Sequence, residues 1–323
     1  MNKLAKSLYE NSSQYLIILF LILASFNLIA QDSDESEYIE SVTIIGSKED
    51  VKDLAGSGAV ISNEDLQKAM DTDIQKILTA VPGIYMRTEE GYGLRPNISI
   101  RGTAIERSGK VTIMEDGVLV APAPYTASSA YYFPTTGRIH AVEVLKGPAV
   151  VSQGPQTIGG AINLISTPIP KVASGKFIQE IGENGMTRTH TYYGASQGNF
   201  GALVEIHEHA SDGYDSIANV GGDTGFDKSD LMIKANYTSG NHSLTFKRVD
   251  LDETSNQSYV GLSQASFNAN PRMRYGATAY DKMMNDGEQT SLTYEGSFNN
   301  FDVRFTSWQN DYHRDWFKVS DFN

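Results

Sequence analysis

Two histidines, His207 and His209, stand two residues apart in a stretch of alternating apolar and polar residues. On a strand that spacing puts both rings on one face, where they could ligate a metal. The polar face of a membrane strand accounts for them equally. The glycine-rich run 147–160 is followed by no Gly-Lys-Ser/Thr and opens no helix, so it is not a phosphate loop. No Ser/His/Asp spacing and no histidine pair on a helix face is present. We therefore assign no catalytic residue, no metal site and no cofactor. Two loops offer a different chemistry. Residues 89–97 carry Glu90, Tyr92, Arg95 and Pro96, and residues 121–134 read APAPYTASSAYYFP. Aromatics and hydroxyls on a rigid scaffold are common ligand surfaces. Ordinary solvated connections have the same composition.

The elements that must hold these loops begin with RIHAVEVLKGPAVVSQGPQTIGGAINLI, residues 138–165. It opens at Arg138 as a strand that is apolar on both faces, which suits a strand covered on two sides. Gly147-Pro148, Gly154-Pro155 and Gly159-Gly160 then break the chain three times, and residues 161–165 are again β-prone. Upstream, Ser62 or Asn63 caps an expected helix over 64–70, and Asp71 or Thr72 caps one over 74–80. Short strands follow at 84–87, 98–101 and 111–114, and Asp116-Gly117 makes a hairpin turn before 118–120.

Composition limits the partners. The net charge of −13 argues against nucleic acid. There are no cysteines, so no disulfide scaffold exists. The 17 tyrosines suit β-structure with an aromatic interface. Residues 1–30 read as a secretory signal: Lys3 and Lys6 precede an apolar run over 16–23 that is short for a membrane helix. Residues 31–39 are acidic and polar. ESVTIIG, residues 40–46, is a β-prone island after that tail. It reads as a first strand of the domain, or as an edge offered to another chain.

After Pro170 the pattern changes to long alternating strands at about 175–182, 186–195, 199–210, 228–238, 241–252, 286–296 and 299–312. Phe200, Ala202, Val204 and Ile206 share one face; Leu231, Ile233, Ala235 and Tyr237 share another. Tight turns alternate with long loops over 211–227 and 253–285, as in transmembrane barrels. A soluble β-sandwich fits the alternation but not the loop lengths.

Several motifs, in order and spacing, resemble the plug domain of TonB-dependent outer-membrane receptors. They are Val-Pro-Gly at 81–83, Ile-Ser-Ile-Arg-Gly at 98–102, Glu-Asp-Gly-Val at 115–118, Val-Glu-Val-Leu-Lys-Gly-Pro at 142–148 and Ile-Gly-Gly-Ala-Ile-Asn at 158–163. The resemblance covers about 40–170. It implies a mainly β chain with a small α/β plug, followed by the first strands of a transmembrane antiparallel β-barrel. The implied division is a signal peptide at 1–30, a periplasmic tail at 31–52, a plug at 53–170 and roughly seven barrel strands at 171–323. A family barrel has about 22 strands, so the chain reads as part of a longer receptor. Glu40, Ser41, Val42, Thr43, Ile44, Ile45 and Gly46 then correspond to the TonB box, which pairs with the inner-membrane energy-transducing protein. Arg101, Gly102, Asp116, Gly117, Arg138, Lys146, Gly147, Gly159 and Gly160 fall at structural plug positions. Lys146 replaces the family's usual arginine, which removes a bidentate plug–barrel contact.

Gly-Tyr-Gly-Leu-Arg-Pro-Asn at 91–97 and Ala-Pro-Ala-Pro-Tyr at 121–125 look closest to the ferric-citrate receptors. This resemblance implies energy-coupled uptake of a ferric chelate across the outer membrane of a Gram-negative bacterium. The implied partners are a TonB-type protein, outer-membrane lipid and the iron chelate. An anionic chelate needs cations and donors. Tyr92 and Arg95 in the first loop, Tyr125, Thr126, Ser128 and Ser129 in the second, and Arg272 and Arg274 in the long outer loop are the candidates. A surface-binding protein without transport, or an importer of a non-iron nutrient, is the alternative.

Overall fold

The computed structural model describes residues 43–54, 56–120, 127, 132–154 and 158–320. The expected signal peptide, most of the tail, and Glu40, Ser41, Val42, Tyr125, Thr126, Ser128 and Ser129 lie outside the described residues.

The N-terminal half builds a plug on a five-stranded sheet. Its strands are β1 (Ser57–Ile61), β4 (Val111–Glu115), β5 (Val118–Leu119), β6 (Ile139–Lys146) and β7 (Gly160–Ser166), while β2 (Ile84–Arg87) and β3 (Asn97–Ile100) form a separate hairpin. The sheet order is β1-β6-β7-β4-β5, with β4 parallel to β7 and the other pairs antiparallel. The β6 strand is interior, between β1 and β7, and buried on both faces, as its two-sided apolar pattern requires. Ile74, Leu78, Ile98, Ile100, Val142, Val144, Ile162 and Leu164 make the core. Gly159 lets β7 begin close to its neighbour: a Cβ there would sit 2.8 Å from the Lys110 carbonyl.

Two helices cover this core. The first spans Asn63–Ala69, and Ser62 caps it in a reciprocal capping box with Asp65. The second spans Ile74–Thr79 and is capped by Asp73, not by Asp71 or Thr72, because the Asp73 carboxylate is the one that reaches the Gln75 N–H, at 2.8 Å.

The second half is a seven-stranded antiparallel meander, the wall. It runs β8 (Ser174–Ile181), β9 (Thr187–Gln197), β10 (Phe200–Ser211), β12 (Phe226–Ser239), β13 (His242–Ser255), β15 (Lys282–Phe298) and β16 (Phe301–Phe317). The short β11 (Ser216–Ile217) and β14 (Met273–Arg274) pair between the two long loops. All seven expected strands are present. The last two extend further toward the long-loop end than their alternation signals, because ladder pairing there continues through polar residues such as Asn285 and Arg314. No helix among the described residues is long and apolar enough to cross a membrane.

The wall is inside out relative to a soluble sheet. Its apolar face is bare, with Phe200 67% and Phe305 64% exposed. Val204, Ile233, Leu244 and Leu292 lie on the same side by register. The opposite face is polar yet buried against the plug: Glu205, His207, Lys234 and Lys247 are each less than a tenth exposed. Burying polar groups while leaving apolar ones bare is stable only where the outer solvent is itself apolar.

The expectation of a first strand at 40–46 is corrected over its described part, residues 43–46. Ile44 and Ile45 form bends and none of Thr43 to Gly46 is in a strand, because the amides of Ile44, Ile45 and Gly46 are taken by a side chain and not by a neighbouring strand.

Candidate functional site

Ladder direction gives the wall two ends. Turns at 198–199, 240–241 and 299–300 are short; loops 212–225 and 256–281 close the other end. The plug loop 89–96 reaches the long-loop end. Glu90 shapes it by accepting the Tyr92 N–H at 2.6 Å and the Arg95 N–H at 3.1 Å. The Tyr92 ring lies 4.7 Å from that of Phe226 and 5.5 Å from that of Tyr214. Arg272, exposed, places its guanidinium 5.9 Å over Tyr214. Burial raises the Tyr92 hydroxyl to about 12, so it stays a neutral donor. The result is an aromatic floor with a cation above it, an arrangement that can hold a delocalised anion.

The arginines divide by role. Arg95 is not a lone loop cation, as its sequence context suggests: it is buried and bonds Glu253 and Ser255 at 2.8 Å each, and Gln257 as well. Arg274 is turned into its own loop, bonding Thr278, the Asn256 carbonyl and the Asp281 carbonyl. Each of these two guanidiniums already has hydrogen bonds within the protein. Tyr214, Phe226 and Glu253 were invisible as site residues in the sequence, since each falls within the long loops read over 211–227 and 253–285 and carries no mark of its partner. The one available signal was an aromatic at each rim of the 212–225 loop.

At mid-height the plug is fastened to the wall. Arg138 is fully buried and grips Glu115 with both terminal nitrogens, at 2.7 and 3.2 Å, and Asp230 of β12 at 3.2 Å. Thr135 bonds Asp230 too. Lys247 of β13 reaches Glu115 and Asp116 at 2.6 Å each, and Lys234 stands 3.6 Å from Asp116. Burial works against the charge of Glu115, yet Arg138 and Lys247 hold its carboxyl down at about 2. Asp116 takes the left-handed conformation (φ 49°), as does Gly117, so the Asp-Gly turn aims the carboxylate at the wall.

The other structural plug positions stay within the plug. Arg101 (φ 55°) bonds Ser57 at 2.8 Å and leads into Gly102 (φ 75°). Lys146 donates to the Pro82 carbonyl at 2.9 Å, with no bidentate contact to the wall. Gly147 ends β6, and Gly160 starts β7. His207 faces His190 across the ladder, and His190 bonds Glu205 at 2.6 Å. By register His207 and His209 lie on the side of the wall that Glu205 shares, the plug-facing one.

At the short-turn end, residues 43–46 dock under the sheet. Ile45 fills a pocket with Met114, Leu145, Val150 and Ala161. Arg304 of β16 holds the Thr43 carbonyl at 3.0 Å.

A plug sheet fastened to a wall with a bare apolar face, with a docked segment at one end and an aromatic–cation surface at the other, is the layout of a plug domain followed by the first strands of an antiparallel barrel. Residues 50–161 match the model of the TonB-dependent receptor plug domain. TonB-dependent receptors reside in the Gram-negative outer membrane. An iron-regulated outer membrane virulence protein of Vibrio cholerae is 30% identical over 151 residues, 45% of this chain and 22% of that protein. The vitamin B12 transporter BtuB of Photobacterium profundum is 23% identical over 212 residues, 65% of this chain and 34% of that protein. The unliganded ferric citrate transporter FecA superposes with a TM-score of 0.72 at 21% identity, covering 87% of this chain and 43% of that one. The chain thus spans less than half the length of each.

Proposed function

We propose that this chain is the plug and the first wall strands of a TonB-dependent receptor that takes up a ferric chelate, ferric citrate or a related anionic siderophore complex. The reading divides the chain into a signal peptide at 1–30, a tail with the coupling segment at 31–52, a plug at 53–170 and wall strands at 171–323. The observation that carries it is the docked segment 43–46 at the short-turn end. A receptor without transport has no use for such a handle. The chelate side is supported by Tyr92, Tyr214 and Arg272 at the opposite end, by FecA among the structural neighbours, and by the iron-regulated Vibrio cholerae relative. Tyr125, Thr126, Ser128 and Ser129 are proposed as further donors; Arg95 is proposed to brace the loop that presents Tyr92.

The test is accumulation of radiolabelled ferric citrate by iron-starved cells with and without the gene, before and after collapse of the proton gradient. The reading expects accumulation that needs both. Accumulation unaffected by the uncoupler would leave a passive surface protein, and uptake of cobalamin in place of iron would keep the transporter and change its cargo.

A further inference from the structure

We propose that Glu143 is a latch that keeps the coupling segment out of strand form, and that its state is tied to the plug–wall fastening through Asn163. The proposal rests on the transporter reading only for its consequence, not for its geometry.

Glu143 lies on β6 and is 1% exposed. Its Oε1 accepts the N–H groups of Ile45 at 2.7 Å and Gly46 at 2.9 Å; its Oε2 accepts that of Ile44 at 2.9 Å. Asn163 Nδ2 completes the set at 2.8 Å. Three successive amides converging on one anion form a nest, and Gly46 allows it with φ 96°. A strand cannot do this, because it points successive N–H groups to opposite sides. While Glu143 is engaged, Ile44 to Gly46 therefore have no amides to give an added strand. Leaving the nest would strand a buried carboxylate that no cation among the described residues pairs with, which makes the docked form strongly preferred.

The latch also has a connection to the wall. Asn163 gives its amino group to Glu143 and takes the Gly117 N–H on its carbonyl oxygen at 2.9 Å. Gly117 follows Asp116, whose carboxylate is held by Lys247. A shift of the Asp116–Gly117 turn moves the Asn163 amide and so removes one of the four donors that keep Glu143 satisfied. A cavity of ≈ 300 Å³ bounded by Thr43, Ile44, Gly117, Gln153, Arg304 and Thr306 gives the released segment room on that side.

Residues 1–323 hold no cysteine, so Thr43→Cys, with any cysteine elsewhere in the receptor replaced by serine, carries the one nitroxide label. In the full-length receptor in lipid vesicles, the electron paramagnetic resonance spectrum of this background is expected to be immobilised. Glu143→Gln, which cannot accept all four donors, is expected to raise the mobile-to-immobile ratio about tenfold or more. Asn163→Ala is expected to raise it less. Gly46→Ala, strained at positive φ but outside the plug core, acts on the nest alone and is expected to raise it without touching Glu143. Spectra of Glu143→Gln and Gly46→Ala that both match the background would overturn the latch. The readout needs neither chelate nor partner. A second arm titrates the periplasmic domain of a TonB-type protein: tighter binding to Glu143→Gln supports the latch's role in coupling. No binding to any variant, with a mobile Glu143→Gln spectrum, would overturn the transport reading and keep the latch.

Discussion

The five-stranded plug sheet and the seven-stranded wall sheet are both well paired, yet they bury opposite chemistries. In the plug, Val142, Ile162 and Leu164 are inside, as in any water-soluble domain. In the wall, Lys234, Lys247 and Glu205 are inside, while Phe200 and Phe305 face outward. The same hydrophobic and electrostatic rules give both results once the solvents differ. The difference shows where specificity lies. Apolar packing holds the plug together, whereas charges placed on specific wall rungs hold it in the wall.

Arg138 is where the two chemistries meet, so removing it tests the contrast most severely. Arg138→Ala leaves Glu115 and Asp230 buried and short of a cation, at a cost of about 3–5 kcal/mol. Denaturant titration of the receptor in detergent should show the plug leaving first. An Arg138→Ala receptor as stable as the parent would mean that the ion pairs do not hold the plug.

The same fastening predicts a pH limb. The Glu115 carboxyl sits at about 2, below the ordinary 4.5. Its contribution is therefore complete above about 4.5 and is lost as the pH falls toward 2, about 3 kcal/mol in all. Protease sensitivity of the plug, followed from pH 6 downward, should rise across that window, and Arg138→Met should flatten the rise.

On the wall's bare face the contrast inverts. Val204→Arg puts a charge into lipid and should cost about 2–4 kcal/mol in bilayers, less away from the midplane. Folding yield into vesicles measures it. An Arg there that costs nothing would identify a water-facing sheet and remove the membrane wall.

Much of this contrast was legible in the sequence, and the limits have a physical cause. Period-two alternation and the tight turns at Gly198 and Gly240 are local, so all seven wall strands could be read. The fastening was not local. Arg138 and Asp230 are 92 residues apart, and Arg95 and Glu253 are 158 apart. A charge in a polar strand face carries no mark of its partner, so Arg95 resembled a free ligand cation. Glu143 left one trace, a carboxylate within the apolar run of β6, and Ile44 to Gly46 looked like a strand because β-propensity cannot register amides claimed by a side chain.

A smaller effect belongs to the plug's surface. Ser62→Ala breaks the capping box with Asp65 and should cost about 1 kcal/mol, visible as a shift in plug unfolding with no change at the wall. A shift in both transitions would mean that plug and wall unfold as one unit.

The central claim, that residues 40–46 are the handle of an energy-coupled receptor, is tested most directly by Ile44→Pro. Proline removes the N–H that this position needs in any added strand and fixes its φ. The surface at Tyr92 and Arg272, proposed to take the chelate, lies at the opposite end of the wall and is untouched. Radiolabelled chelate bound to chilled cells should therefore match the parent, while chelate accumulated at growth temperature should fall to the level of de-energised cells. Normal accumulation by the Ile44→Pro receptor would contradict the account.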